Sequence, residues 1–329
     1  VLFLFGSGAA LAVMPMVASF AAEGDETSLR RATRMGMWIS TGFAFLSLPL
    51  MIWSEPVLRL LGQSDEVSRN ASEYLSVVAY GILPALLVMV LKSYLAALER
   101  TQIVLWITVL AAVANGLTNY ALIFGNWGAP ELGIRGAAYA SILTQMVSLV
   151  GVVIYARLAL PEHALCQRLW RADWQMLWRV LKLGMPIGLT LLCEVGLFAA
   201  SAVLMGWLGT VPLAAQGIAV QLASITFMVH LGLSNVATIR AGNAYGRRDV
   251  DYMARGGLTV TVMSLTFAFA TSIAFVTFPE PLLSLFMQED EPQRVEILAI
   301  GVGLLAVAAL FQLVDGLQVI SLGLLRGVQ

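Results

Sequence analysis

Glu194 lies in the middle of PIGLTLLCEVGLFAASAVLMGWLG (186–209), and Asp315 in the middle of ALFQLVDGLQVISLGLLRG (309–327). A charged side chain at mid-membrane depth costs about 2.5–3.5 kcal/mol on insertion scales. One interhelical hydrogen bond contributes about 0.6 kcal/mol on average, too little to offset that cost. Each acid has polar company on its own helix. Thr190 stands at i−4 and Ser201 at i+7 from Glu194, so the three share a face. Gln312, Asp315 and Gln318 fall within about 120° of arc at about 100° per residue. Paired acids on such stripes hold a hard cation such as Na⁺ through their oxygens, or exchange protons in its place. An organic cation would compete for the same charge. The plainer alternative is that both acids are structural and bonded between helices.

Other polar residues stand in apolar runs. Asn115 and Asn119 are one turn apart, with Thr118 beside them and Thr108 two turns earlier. They read either as the polar wall of a cavity or as an asparagine-mediated helix contact. Lys92 reads as an anchor whose stem snorkels towards a membrane surface, although helical side chains lean the other way here. His230 reads as a core residue. Cys166 and Cys193 show neither a pairing pattern nor a metal spacing. No dinucleotide fingerprint, P-loop, HExxH or catalytic triad pattern is present, so the chain does not read as an enzyme.

These residues need elements to position them. Of the 329 residues, 59% are hydrophobic and only 12% charged, with a net charge of −1. Soluble domains carry about 25% charged residues, and the deficit here runs along the whole chain. The pattern is that of an all-α polytopic membrane protein whose partner is the lipid bilayer; the net charge itself says nothing about nucleic acid, and no nucleic-acid partner is expected. Nine spans are predicted, at roughly 1–20, 36–54, 75–98, 103–125, 136–158, 184–208, 214–238, 257–279 and 296–324. Placing segments 21–35, 99–102, 157–183, 239–256 and 325 onward on one side collects 14 of the 19 basic residues there, and Lys92, near its helix end, makes 15. The exceptions are Arg59, Arg69, Arg135 and Arg294. By the positive-inside rule the first side is cytoplasmic.

The chain also repeats itself. SEPVLRLLGQSDE (54–66) aligns with PEPLLSLFMQEDE (279–291), and the turn after Ala22 with the turn after Ala244. Glu55-Pro56 maps to Glu280-Pro281 with a shift of 225, and Gly24 to Gly246 with a shift of 222. A matched orientation at this period predicts two parallel lobes. The lobes are 1–158 and 184–329, joined by a cytoplasmic linker, 159–183, whose Arg/Trp-rich text suits a membrane surface. By the same alignment a complete pair of lobes has twelve spans, of which the first and the last two lie outside these nine. Asp315 shifted back by 226 falls on Met89, so the acid is not a requirement of the fold.

Four stretches resemble the multidrug and toxic compound extrusion (MATE) family, in its NorM-like branch. They are the runs around Glu194 (184–209) and Asp315 (309–327), NGLTNYALIFGNWGAPELGIRGAAYAS (115–141) and FMVHLGLSNVATIRAGNAYG (227–246). The resemblance implies a secondary antiporter of the bacterial inner membrane, acting as a monomer. It would export small organic cations and lipophilic drugs in exchange for Na⁺ or H⁺, with no cofactor. It further implies that Glu194 and Asp315 carry ion coupling and cation binding, Na⁺ included. Asn115, Asn119, Thr190 and Gln312 would line the cavity. His230 stands where this branch is expected to carry a helix-kinking proline. The alternatives are a lipid-linked oligosaccharide flippase, which calls for a basic cavity, and an intramembrane enzyme, which calls for clustered Asp motifs.

Overall fold

A computed structural model describes residues 2–60, 65–163, 165, 169–288 and 293–329. Cys166 and Arg168 lie outside the described residues. The helices are α1 (Leu2–Glu23), α2 (Glu26–Ile52), α3 (Ser54–Leu60), α4 (Asp65–Val78), α5 (Ile82–Ala97), α6 (Thr101–Phe124), α7 (Gly133–Ala159), α8 (Trp174–Leu208), α9 (Thr210–Arg247), α10 (Val250–Thr277), α11 (Pro279–Ser284) and α12 (Arg294–Gly327). Nine helical stretches among the described residues are long and apolar enough to cross a membrane, and each overlaps one predicted span to within two residues at its end.

The helices outrun the predicted spans at their polar ends. α2 starts at Glu26 rather than at 36, and α8 at Trp174 rather than at 184. Hydropathy marks only the part of a helix that must be apolar. Backbone hydrogen bonding continues beyond it, where Arg30, Arg31 and Arg34 can meet headgroups and water. The last ten residues of the predicted linker are therefore the first turns of α8. α9 runs as one helix through His230.

Internal contacts divide the chain into Val1–Leu192 and Cys193–Gln329, a boundary within α8. In the first unit α1 is the central helix, buried from Gly6 to Ala10 and from Ala12 to Phe20. Its small residues let backbones approach closely, as membrane helix contacts favour. A Cβ added at Gly8 would sit 2.4 Å from both the carbonyl oxygen of Gly184 and the amide nitrogen of Gly188 on α8. The linker is fastened to this unit. Trp38 Nε1 donates to the Leu169 carbonyl at 2.7 Å, Arg31 pairs with Asp173, and the buried Tyr94 hydroxyl meets His163 Nδ1. Asp173 also accepts from the Met176 amide at 3.1 Å, and these bonds hold its carboxyl below the usual carboxylate range.

In the second unit α9 and α12 are laced by hydroxyls. Ser234 Oγ donates to the Val319 carbonyl at 2.7 Å and Thr238 Oγ1 to the Gly323 carbonyl at 2.9 Å. Gly316, Gly323 and Gly327 leave room for that approach. Leu222, Phe275, Leu283, Leu305 and Ala309 form a core joining α9, α10, α11 and α12.

The internal repeat reappears in two turns. Gly24 adopts φ 76° and Asp25 then caps α2, accepting from the Ser28 amide at 3.0 Å. Arg248 adopts φ 56° and Asp249 then caps α10, accepting from the Tyr252 amide at 2.9 Å. The matching pair at this turn is thus Gly24 and Arg248, a shift of 224. Gly246 belongs to α9, because a left-handed residue followed by a capping carboxylate, rather than glycine identity, defines the turn.

Asp25→Ala and Asp249→Ala are each expected to cost about 1 kcal/mol, read as a lower thermal midpoint in detergent. Hydrogen bonding from Ser28 lowers the folded pKa of Asp25. Its contribution is therefore present above the ordinary value of 3.8 and is lost as pH falls through the lowered value. The midpoint difference between wild type and Asp25→Ala should shrink in strong acid.

Candidate functional site

Glu194 on α8 and Asp315 on α12 belong to the same unit and are both half-buried. Their charges act on one another, and Arg326 on α12 acts on Glu194. Arg326 stands three turns from Asp315 along α12 and acts on Glu194, so along this stretch two acids face one guanidinium. That is a surplus of one negative charge in partly desolvated surroundings, where Coulomb terms are several-fold larger than in water. Such a cluster attracts a monovalent cation, metallic or organic. Arg326 is the member that charge counting alone assigns to the cytoplasmic end of its helix. A helical signal nevertheless marks it, because position i+11 from Asp315 is three turns on and about 20° off the same face.

The neighbouring polar groups tie helices together. Phe198 of α8 meets Phe311 of α12 edge-on, with ring centroids 6.3 Å apart. Gln216 Nε2 donates to Ser201 Oγ at 2.5 Å, linking α9 to α8. Thr190 Oγ1 donates to the Pro186 carbonyl at 2.9 Å, a bond within α8.

Gln312, expected on a cavity wall, is instead 2% exposed. Its Nε2 donates to Thr226 Oγ1 at 2.7 Å and its Oε1 accepts from Thr271 Oγ1 at 2.6 Å. It is a buried junction of α9, α10 and α12. The sequence shows which face of α12 carries Gln312 but not the two threonines opposite, whose hydroxyls outcompete open space for the amide. Both threonines also have backbone acceptors on their own helices. Gln312→Leu removes both bonds and is therefore expected to cost about 1.2 kcal/mol, at about 0.6 for each. The check is a slightly lower thermal midpoint with cation binding retained.

His230 is fully buried, with Nδ1 2.8 Å from Ser264 Oγ and its ring edge-on to Phe267. Gly316 backs the imidazole: a Cβ there would lie 2.9 Å from His230 Cε1. This is a packed core position.

In the first unit Asn115 Nδ2 donates to Thr144 Oγ1 at 2.9 Å, and Asn119 Nδ2 to Asn115 Oδ1 at 3.0 Å. The two asparagines thus build a polar ladder from α6 to α7, the helix-contact alternative, with both side chains half-buried. Lys92 Nζ donates to Thr108 Oγ1 on α6 at 3.0 Å. Thr108 lies about two turns inside α6, so the ammonium stays at depth instead of snorkelling outward, as the N-terminal lean of helical side chains dictates.

The family model for MatE matches residues 1–121 and 186–329. A protein of Agrobacterium fabrum (strain C58 / ATCC 33970) called "Probable multidrug resistance protein NorM" is 43% identical over 331 residues, covering 100% of this chain and 71% of the relative. The protein of that name from Rhizobium meliloti (strain 1021) is 42% identical over 330 residues, with the same coverage. A solved structure described as an outward-facing multidrug resistance MATE family transporter of the MOP superfamily superposes with a TM-score of 0.88 at 18% identity. It covers 99% of this chain and 72% of its own. A MOP superfamily transporter from Pyrococcus furiosus superposes with a TM-score of 0.87 at 18% identity, again over 99% and 72%.

Proposed function

The chain belongs to the MatE family, and from that premise we propose that it expels organic cations and lipophilic drugs in exchange for Na⁺ or H⁺. It is a multi-pass membrane protein and a multidrug efflux transporter, not an enzyme. The bacterial relatives support placing it in the bacterial inner membrane.

The observation that carries the exchange reading is the pair Glu194 and Asp315, half-buried in one unit and within reach of each other's charge. With Arg326 present the cluster needs one monovalent cation to become neutral. A coupling ion and an organic cation then compete for one surplus charge, and each excludes the other. Alternating access follows if the two occupants favour different orientations of the lobes. Each shifts the equilibrium by its differential affinity for the two states, and by no more than that.

The test is efflux of a fluorescent organic cation from sealed proteoliposomes under an imposed sodium gradient or an imposed proton gradient. The reading expects one of the two gradients to drive efflux well above protein-free liposomes. No response to either gradient would overturn the antiport reading.

A further inference from the structure

The first unit holds a basic basin that the transport reading does not use. Its volume is about 720 Å³, and Arg30, Arg31, Arg34 and Arg171 line it, with Thr27 and one carboxylate, Asp173. Arg31 pairs with Asp173, whose charge also acts on Arg34, so four guanidiniums share one carboxylate. Arg30 Nε is buried and donates to no group among the described residues. An orphaned guanidinium donor beside a surplus of positive charge is poised for an anion with several acceptor oxygens.

A second cavity, of about 370 Å³, shares the same two elements and is apolar. Met37 of α2, Leu91 of α5, Leu149 and Val153 of α7 and Leu169 of the linker line it. Arg30, Arg34 and Met37 stand at i, i+4 and i+7 on one face of α2, so charge gives way to apolar surface within about 10 Å along the helix. The linker makes the same passage in the two residues from Leu169 to Arg171. Trp170, Trp174 and Trp178 are exposed around it, as tryptophans are at a headgroup boundary.

We infer that this basin and groove bind one anionic phospholipid, its phosphate among Arg30, Arg34 and Arg171 and an acyl chain along Met37, Leu149 and Val153. The shared chemistry with free phosphate ends at the groove, which only a lipid fills. On the orientation deduced from the basic residues the site faces the cytoplasmic leaflet, whose anionic lipids favour such clusters. Because α2 and the linker segment ahead of α8 both contribute, the bound lipid would clamp the linker to the first unit.

The test is native mass spectrometry of the delipidated protein, titrated with phosphatidylglycerol, with phosphatidylcholine and with inorganic phosphate as competitor. Phosphatidylglycerol is expected to bind at least tenfold more tightly than phosphatidylcholine. Arg34→Gln combined with Arg171→Gln should weaken it roughly tenfold or more. Arg171→Glu, a change at an exposed position that leaves the core untouched, should weaken it similarly. Val153→Trp, which fills the groove, should weaken the lipid and spare any binding of inorganic phosphate. Equal retention of the two lipids, or unchanged binding by Arg171→Glu, would overturn the inference. So would displacement of the lipid by millimolar phosphate combined with normal lipid binding by Val153→Trp, which would leave an anion site without a lipid axis.

Discussion

Glu194→Gln and Asp315→Asn are each expected to lose organic-cation binding by about thirtyfold or more, and with it gradient-driven efflux. The magnitude follows from the charge removed. Two unit charges about 4 Å apart attract by about 4 kcal/mol at an effective dielectric of about 20. Half of that, for a looser contact, is still roughly thirtyfold in affinity. Either substitution also takes the cluster with Arg326 from a surplus of one negative charge to none, so the attraction for a free cation disappears. Stability separates this account from a structural role. A carboxylate at membrane depth carries a desolvation penalty, and its amide isostere does not. The two variants should therefore keep the wild-type thermal midpoint or exceed it while losing binding. If the acids served as interhelical struts, the midpoint would fall instead. Ser201→Ala, which removes only the bond from Gln216, should bind cations normally.

Gly8→Val is expected to be the most damaging single packing change in the first unit. Its Cβ would lie 2.4 Å from two backbone atoms of α8, the Gly184 oxygen and the Gly188 nitrogen. No rotamer change relieves a clash with backbone, so α1 and α8 must separate. Overpacking of this kind costs about 1–3 kcal/mol in adaptable cores, and the upper end or beyond applies where neither side can yield. A thermal midpoint in detergent, with the monodispersity of the purified protein, reads the effect. Gly42→Ala on α2 is the control, since a Cβ there meets nothing within 4 Å. Alanine exceeds glycine in helix propensity by about 1 kcal/mol, so that variant should be as stable as wild type or more so.

All nine spans were legible because the bilayer imposes a long apolar run on each, and no other constraint in the chain is as strong. Their polar ends were not legible. The text from Glu26 to Met35 and from Trp174 to Leu183 reads as loop by hydropathy, yet the helical backbone continues through it. Glu194 and Asp315 stood out because the cost of a buried acid is readable from one sequence. Arg326 did not, because a basic residue near a cytoplasmic helix end is what topology alone predicts there. Gln312, Asn115 and Lys92 show a third limit. Helical phase identifies the face a side chain occupies, whereas Thr226, Thr271, Thr144 and Thr108 stand on other helices. Only the fold brings those hydroxyls within reach.

The exchange account stands on competition for one charge cluster, and equilibrium binding tests it without a membrane. A fluorescent organic cation would be titrated into the purified protein at rising Na⁺ concentration, and separately at falling pH. The account predicts that one of the two raises the apparent Kd of the dye in proportion to its own concentration. It also predicts that Asp315→Asn binds weakly and no longer responds. A dye affinity indifferent to both ions, or an Asp315→Asn protein that binds like wild type, would contradict it.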